Sequence, residues 1–278
     1  MSTAVSTRTI ASPAADASDV QGSSLRWTVS DTFEMVKRNL RHIPRSPELL
    51  LDVTIQPVIF VVLFVYVFGG AIQTPGMSYV NYLMAGIFVQ TLIFACMTSG
   101  IGLAYDLQKG LIDRFRSLPM SRSAVVAGRT LTDLLRGILA VAIMFVVGLA
   151  VGFRPEGTAL SWLIGLGILL MFAFAFSWIG VTIGMFVGTP EAVQAALFVF
   201  VFPLTFVSSA FVPVDTMPSW LQGFAEYQPL SVVIDMLRNI FTGQPWRTEA
   251  LWSIGWSLLL LAIFFPIAIR LYKKRTTE

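Results

Sequence analysis

Six long apolar runs without a charged residue are the feature that most constrains how this chain can fold. None of them contains Asp, Glu, Lys, Arg or His; they are residues 53–71, 82–103, 137–153, 160–187, 192–212 and 251–269. A helix needs about 20 mostly apolar residues to cross a bilayer, and one charge at the bilayer centre costs about 2.5–3.5 kcal/mol. Charged residues make up only 13% of the chain, which is about half the share in a soluble protein. We therefore predict an all-α integral membrane protein with six transmembrane helices.

The Lys and Arg residues are distributed unevenly between the connections of these runs. Sixteen of the 19 lie before the first run, between the second and third, or after the sixth. The remaining three are Arg154, Arg238 and Arg247, in the connections that face the other way. Because Lys and Arg accumulate in cytoplasmic loops, both termini are predicted to be cytoplasmic, in a multi-pass protein of the plasma or inner membrane.

The N-terminal part contains two segments predicted to lie outside the bilayer. Residues 1–25 are rich in Ala, Ser, Thr and Asp, which predicts a disordered cytoplasmic tail. Residues 28–43 carry apolar side chains at helical spacing with cations on the other faces, which predicts an amphipathic helix in the cytoplasmic interface. The pattern favours an anchor, and a lever that carries motion into the membrane is the alternative. Residues 26–275 form one predicted transmembrane domain.

The segment 106–118, DLQKGLIDRFRSL, predicts a short amphipathic helix in the connection between the second and third runs. Leu107, Leu111 and Phe115 repeat every four residues, and Pro119 ends the pattern. The segment is too charged to span the membrane. Composition leaves two interpretations equally open: the helix docks in a groove of another protein, or it lies on the lipid surface.

The connection 213–250 is predicted to lie at the outer face and to hold two helices too short to cross the membrane. They are residues 219–227 and residues 230–241. The second is followed by Thr242-Gly243, and a glycine in this position is typical of a helix C-terminus. An apolar loop with Trp and Tyr is typical of a re-entrant or interfacial element. Asp235 and Arg238 are three residues apart on one helix face and are predicted to pair. Sealing the outer end and shaping an exit are compatible roles for this region.

Three charged residues lie just before the third run, on the same predicted helix. Arg129, Asp133 and Arg136 are spaced by four and three residues, so they share one face of a helix near the cytoplasmic interface. Structural ion pairing is favoured over a substrate site, because such a ladder can neutralise itself.

Two further patterns lie inside the fourth and fifth runs. Glycines four residues apart predict close helix packing, more within the chain than in a dimer face; they are Gly180, Gly184 and Gly188. Phenylalanines surround Pro203, which is predicted to kink its helix. Lipid-facing or packed positions are the first interpretation of these rings, and a cargo path is the second; the candidates for it are Phe198, Phe202, Phe206 and Phe211.

Several classes of membrane protein lack support in the sequence. The apolar runs contain no ionisable residue of the kind that ion-coupled transporters use, and no filter-like motif of a channel is present. One Cys and one His exclude a Cys cluster and a multi-His metal site. The sequence has no G-x-x-x-x-G-K-[ST] motif, so no cofactor is predicted in this chain. Energy for transport is then expected from a separate cytoplasmic ATPase. The basic residues lie where the positive-inside rule of membrane proteins places them. They therefore indicate no nucleic-acid partner.

Two stretches resemble one transporter family. DLQKGLIDRFRSLPMSRSAVVAGR at 106–129 resembles the cytoplasmic signature of type-2 ABC transporter permeases. SSAFVPVDTMPSWLQGFAEYQPLSVVIDMLRNIFTG at 208–243 resembles the outer region before their last span. The order of six predicted spans after an amphipathic helix also matches, and the branch that the sequence resembles is the daunorubicin/doxorubicin-resistance type of actinobacteria.

This resemblance implies partners and roles for particular residues. It implies an assembly of two permease chains, identical or paired, with two ATPase subunits that bind ATP and Mg²⁺. It also implies that 106–118 is the coupling helix that docks on the ATPase. The positions that match the family pattern there are Lys109, Gly110, Asp113, Arg114, Arg116 and Pro119, with Leu107, Leu111, Phe115 and Leu118 as apolar contacts. The outer gate region would comprise Pro213, Pro218, Trp220, Pro229, Asp235 and Arg238.

The expected function is therefore the permease subunit of an ATP-driven exporter for a hydrophobic or amphipathic cargo, either a drug or a lipid-like molecule. The direction of transport rests on the resemblance. Export of a cell-envelope glycan or glycolipid ranks lower, because the runs offer Phe but few polar groups. A non-transporting membrane scaffold and a secondary transporter are the alternatives from other classes.

Overall fold

The computed structural model describes residues 55, 57–72, 74, 76–109 and 122–275. Within these ranges every regular element is helical, as predicted. A short 3₁₀ turn at Val214–Thr216 precedes α6. The main helices are α1 (Pro57–Phe68), α2 (Tyr79–Gln108), α3 (Arg122–Val151), α4 (Ala159–Val187), α5 (Pro190–Phe206), α6 (Ser219–Tyr227), α7 (Pro229–Phe241) and α8 (Arg247–Arg275).

Four of the six apolar runs form helices that are long and apolar enough to cross a membrane. They are Tyr79–Gln108, Thr130–Val151, Ala159–Val187 and Arg247–Leu271. The runs 53–71 and 192–212 instead form the shorter helices α1 and α5. The last turn of α1 is π-helical and is followed by two glycines, which favour the end of a helix.

Helix α5 ends six residues before the predicted limit because local hydrogen bonds replace the helical ones. The Ser208 hydroxyl donates to Thr205 O, and the amide of Ala210 donates to Ser208 Oγ at 3.2 Å. Serine competes with helical hydrogen bonding in this way. Pro203 lies inside α5 and removes one backbone donor near the same end.

Helix α2 is the centre of the bundle and contacts α3, α4, α5 and α7. Leu83, Ile87 and Leu92 along it are fully buried. Its sequence is apolar on all sides, which is typical of a helix surrounded by others. Helix α8 packs mainly on α4, where the Thr182 hydroxyl lies 3.5 Å from Phe264 O.

Glycines bring α2 and α4 into backbone contact. A Cβ atom built on Gly100 would lie 2.2 Å from Gly180 O, and one on Gly184 would lie 2.5 Å from Gly100 O. Packing of Gly180 and Gly184 within the chain is therefore confirmed. Gly188 has a different role, because it ends α4 with φ of 84°, a conformation that glycine adopts readily.

The connections gather at two opposite ends of the bundle. At one end the amide of Arg154 donates to Asn81 Oδ1 at 3.0 Å, and the amide of Glu156 donates to Phe241 O at 2.7 Å. This joins the α3–α4 connection to the start of α2 and the end of α7. At the other end Leu103, Met185 and Ala268 pack together, so the C-terminal parts of α2, α4 and α8 are neighbours. Lys109, which follows α2, and Arg270, in the C-terminal part of α8, lie at this second end.

Candidate transport and coupling sites

The predicted coupling segment begins inside α2. Asp106, Leu107 and Gln108 form the last residues of that helix, and the amide of Lys109 closes it by donating to Tyr105 O at 3.0 Å. These three residues therefore continue α2 and do not begin a separate helix at 106 as predicted, since no Pro or Gly interrupts the helix between Leu103 and Gln108. Leu107 packs against the cluster formed with Met185 and Ala268.

The remaining predicted coupling residues lie outside the described residues, as do the tail 1–25 and the amphipathic segment 28–43. These coupling residues are Gly110, Leu111, Asp113, Arg114, Phe115, Arg116, Leu118 and Pro119. The described helices fix where the segment starts and ends, because α2 leads into it and α3 follows it.

A buried polar contact joins these two helices close to the coupling segment. The Ser99 hydroxyl of α2 donates to Asp133 Oδ2 of α3, and Arg136 Nη1 lies 3.3 Å from Asp133 Oδ1. Ser99 and Asp133 are 0% and 5% exposed. The predicted pairing of Asp133 with Arg136 is confirmed, whereas the side chain of Arg129 lies outside the described atoms. The role of Ser99 was not predicted from the sequence, although a Ser beside Gly100 in an apolar run can indicate a polar contact between helices.

The Asp133 contact and the Gly100 contact hold α2 from two sides. Ser99 and Gly100 are consecutive, so the polar bond to α3 and the backbone contact with α4 occur at the same level of α2. Movement of the end of α2 at this level would therefore be passed to α3 and α4 together, because packed interiors resist local deformation.

The predicted outer pair, Asp235 and Arg238, forms a salt bridge within α7. The same guanidinium donates from Nη2 to Ser209 O at 2.6 Å and lies 3.6 Å from the centre of the Tyr82 ring. The Ser209 hydroxyl donates to Asp235 Oδ1 at 2.8 Å. Burial raises the pKa of Asp235, while the Arg238 charge and the Ser209 hydrogen bond oppose that shift. Arg238 thus links α7 to α2 and to the turn after α5.

The sequence did not reveal Ser209 or Tyr82 as partners of this pair. Both lie far from α7 in the chain, and only the fold brings them together. The amide of Ser209 also donates to Ser231 Oγ at 3.1 Å. These contacts fix α7 against the bundle. Because Arg238 is only 7% exposed, its role in them is structural.

The other outer residues shape the chain on either side of α6. Pro213 precedes the 3₁₀ turn, Pro218 precedes α6 and Pro229 is the first residue of α7. Trp220 is 80% exposed. Phe224 and Tyr227 are also exposed and lie four and seven residues later, so α6 presents one aromatic face to its surroundings.

The four candidate cargo-path phenylalanines form one continuous row of rings. Ring centres are 4.8 Å apart for Phe198 and Phe202, 4.4 Å for Phe202 and Phe206, and 5.0 Å for Phe206 and Phe211. The row continues onto α1, where Phe64 lies 4.5 Å from Phe211. Sequence analysis missed this extension, because it joins residues about 150 positions apart.

Helices α1 and α5 also carry exposed apolar side chains. Tyr66 and Val67 of α1 are 70% and 66% exposed, and Phe198 and Val199 of α5 are 54% and 73% exposed. The row of rings therefore borders an open apolar surface. Among the described residues no group of three His, Cys, Asp or Glu side chains could hold a metal ion.

Comparison with known proteins assigns the family. The profile of the ABC-2 type transporter family matches residues 30–242. The chain belongs to the ABC-2 type transporter family. It is thus a permease, the membrane subunit of an ABC transporter, and the ATPase with which such a permease works is a different subunit.

Several curated relatives cover most of the chain. The daunorubicin resistance ABC transporter permease protein DrrB1 of Streptomyces coeruleorubidus is 33% identical over 90% of this chain and 88% of its own length. The putative transport permease ycf38 of Cyanophora paradoxa is 26% identical over 88% of the chain and 89% of its own length. The probable doxorubicin resistance permease protein DrrC of Mycobacterium tuberculosis is 23% identical over 91% of the chain and 92% of its own length.

Proposed function

We propose that this permease exports a hydrophobic or amphipathic molecule, and that the row of phenylalanines on α5 and α1 borders its path. The observation that carries the proposal is the continuity of that row, from Phe198 to Phe64, along an exposed apolar surface. Aromatic rings at 4.4–5.0 Å offer stacking faces to a flat apolar cargo. The names of two relatives, which concern resistance to daunorubicin and doxorubicin, support this class of cargo.

In this proposal the chain crosses the membrane six times with both termini in the cytoplasm. The Lys- and Arg-rich end of the bundle faces the cytoplasm, and α6 and α7 lie at the outer face. The exposed aromatic face of α6 then meets the lipid headgroups, where Trp and Tyr are enriched. The short helices α1 and α5 cross with the help of the non-helical residues that follow them.

We further propose that two such permeases work with two ATPase subunits, which bind ATP and Mg²⁺. The segment that follows α2, which carries Asp113 and Arg114, docks on the ATPase. Closure of the ATPase pair displaces that segment. The bond between Ser99 and Asp133 and the Gly100 contact then carry the displacement to α3 and α4. The open surface of α1 and α5 is the face toward the second permease.

The test combines purification of the complex with transport in vesicles. The tagged permease is purified with its ATPase, reconstituted, and supplied with ATP and daunorubicin as the test cargo. We expect ATP-dependent movement of daunorubicin that falls at least about tenfold in the variant Asp113→Ala/Arg114→Ala, because the ATPase no longer moves the membrane domain. The variant Lys273→Ala/Lys274→Ala, which also removes cytoplasmic charge, serves as the matched control.

The outcomes separate the proposed roles. Recovery of the permease without an ATPase in gentle detergents would contradict the exporter proposal. Transport that survives loss of ATP but stops when the proton gradient collapses would identify a secondary transporter. Normal transport by a Phe202→Ala/Phe206→Ala variant would remove the row of rings from the path while leaving the ATP-driven mechanism intact.

A further inference from the structure

A cavity of about 630 Å³ lies between α2, α3, α4 and α7. Ile138, Ala142 and Val146 of α3 lie four residues apart and form one wall, and α4 forms the opposite wall. Its volume is in the range of small-molecule sites. It shares no residue with the row of phenylalanines on α1 and α5, so it is a separate feature of the bundle.

The cavity is lined entirely by apolar and aromatic side chains. One end is closed by packed rings: Trp162 stacks on Phe241 with ring centres 4.5 Å apart, and Phe145 meets Trp162 edge-on at 5.5 Å. Away from these rings the walls formed by α3 and α4 do not meet, which leaves the cavity open to the side. Val146 and Leu163 lie at this opening and are 65% and 68% exposed. A hydrocarbon ligand fits this lining, because a polar one would find no hydrogen-bonding side chain apart from the Trp162 indole.

The position of the cavity along the helices identifies the part of the bilayer it faces. On α4 it extends from Ala159, the first helical residue, to Leu169. At a rise of 1.5 Å per residue this is about 15 Å, which is about half of a hydrocarbon core of about 30 Å. The cavity therefore opens to one leaflet, at the end of the bundle where α7 lies.

A fixed cation lies just beyond the closed end. Phe153 packs on Phe241 at 5.2 Å, and the next residue is Arg154, which is exposed. Arg154 Nη1 donates to Leu149 O and to Phe153 O, both at 2.8 Å. These bonds hold the guanidinium about one helical turn beyond Val146, at the depth of the headgroups above the leaflet into which the cavity opens.

We propose that this cavity binds one acyl chain of a membrane phospholipid whose phosphate lies on Arg154. The leaflet is the outer one if the proposed orientation holds, and only that detail depends on the proposed function. An apolar slot half a bilayer long, open to the side at Val146 and Leu163 and with a cation beyond its closed end, matches the two parts of a phospholipid. The bound lipid fills the gap between α3 and α4 and supports their outer halves without taking part in the cargo path.

Photolabelling of the purified transporter tests this proposal without any need for ATP turnover. The complex is placed in nanodiscs of phosphatidylethanolamine with phosphatidylglycerol that carries a diazirine in the middle of one acyl chain. After illumination, we expect labelled peptides from residues 138–146 of α3 and 159–169 of α4 in clear excess over the other lipid-exposed helices. Excess unlabelled phosphatidylglycerol should suppress this labelling.

Matched substitutions locate the site. Ala142→Trp places an indole in the middle of the opening and should lower the labelling of these peptides about tenfold, a 1.4 kcal/mol effect. Ala142 is exposed, so the added ring does not overpack the interior. Ala262→Trp, at an exposed position of α8 outside the cavity, should leave it unchanged. Arg154→Gln should lower it about two- to fivefold, as expected for an exposed ion pair.

Three results would overturn the proposal. Equal labelling in the wild type and the Ala142→Trp variant would show general lipid contact only. Suppression by daunorubicin but not by unlabelled phosphatidylglycerol would make the cavity a cargo site. Cross-links from α3 to peptides of a second copy would make it an interface between permeases. None of these results depends on whether the chain exports anything.

Discussion

Gly100 of α2 lies directly against the carbonyl of Gly180 in α4, so closely that a methyl group on Gly100 would come within 2.2 Å of that oxygen. The obstacle is backbone and cannot swing aside. We predict that Gly100→Ala separates α2 from α4 and lowers the free energy of unfolding by at least about 1–3 kcal/mol, the usual cost of overpacking. Thermal unfolding of the detergent-purified complex measures this.

The neighbouring glycines supply graded controls. A Cβ atom on Gly184 would approach Gly100 O to 2.5 Å, whereas one on Gly180 would meet nothing nearer than 3.6 Å. Gly184→Ala should therefore be as damaging as Gly100→Ala, and Gly180→Ala mild. A Cβ atom on Gly167 meets no atom within 4 Å, so Gly167→Ala should be neutral. Equal damage from all four would show that α2 and α4 do not meet in this way.

The Ser99–Asp133 bond leads to a second prediction. Asp133→Asn removes the charge that faces Arg136, whose buried Nε has no hydrogen-bond partner among the described residues. We expect a loss of about 1.5–3 kcal/mol in unfolding free energy, as for hydrogen bonds to charged groups. ATPase activity of the complex should also respond less to cargo, because α2 and α3 no longer move together.

A buried serine that bonds only within its own helix is the control for this prediction. The Ser257 hydroxyl donates to Ser253 O in α8 at 2.7 Å and is fully buried. Ser257→Ala should cost little, whereas Ser99→Ala should destabilise. Ser99→Ala and Asp133→Asn combined should cost less than the sum of the two, because they share one contact. Additive effects would argue against the bond.

Arg238 leads to a third prediction, at the other end of the bundle. Arg238→Lys keeps the charge but cannot donate simultaneously to Ser209 O and Asp235 while stacking on Tyr82. We expect a loss of about 2–4 kcal/mol of unfolding free energy, since partners of a buried ion are left unsatisfied. Thermal unfolding and partial proteolysis of the α6–α7 region both measure it.

Substitutions of Tyr82 separate stacking from general packing. Tyr82→Phe keeps the ring under Arg238 and should be nearly neutral. Tyr82→Leu removes the ring and should cost about 0.5–2 kcal/mol, the range of cation–π contacts. If both variants were equally stable, the ring would contribute only volume.

Local patterns in the sequence predicted the helices and the contacts within them. Ser219–Tyr227 was predicted with its observed bounds, because Pro218 and Pro229 delimit it. The Asp235–Arg238 pair also follows from spacing alone, since residues three apart on a helix are neighbours. The end of α5 was missed because serine side chains near Ser208 end the helix inside an apolar run.

Contacts between distant parts of the chain could not be predicted in this way. Ser99 meets Asp133 across 34 positions, Ser209 meets Asp235 across 26, and Phe64 joins the row of rings at Phe211. Each depends on the order in which helices pack, which periodicity does not determine. The glycine ridge was the exception, because small residues four apart mark a contact face even when the partner is unknown.

The orientation of the bundle in the membrane is the last prediction. Gly223 of α6 is exposed, and a Cβ atom there meets no atom within 4 Å, so Gly223→Cys should be tolerated and reactive. Gln108 at the end of α2 is exposed as well. In intact cells an impermeant maleimide should label Gly223→Cys but label Gln108→Cys only after lysis. Native Cys96 is fully buried and gives little background, so the wild type is the control. Labelling of Gln108→Cys from outside, with Gly223→Cys protected, would place both termini outside. It would also assign the basic end of the bundle to the wrong face of the membrane, and an ATPase could then not reach the segment after α2.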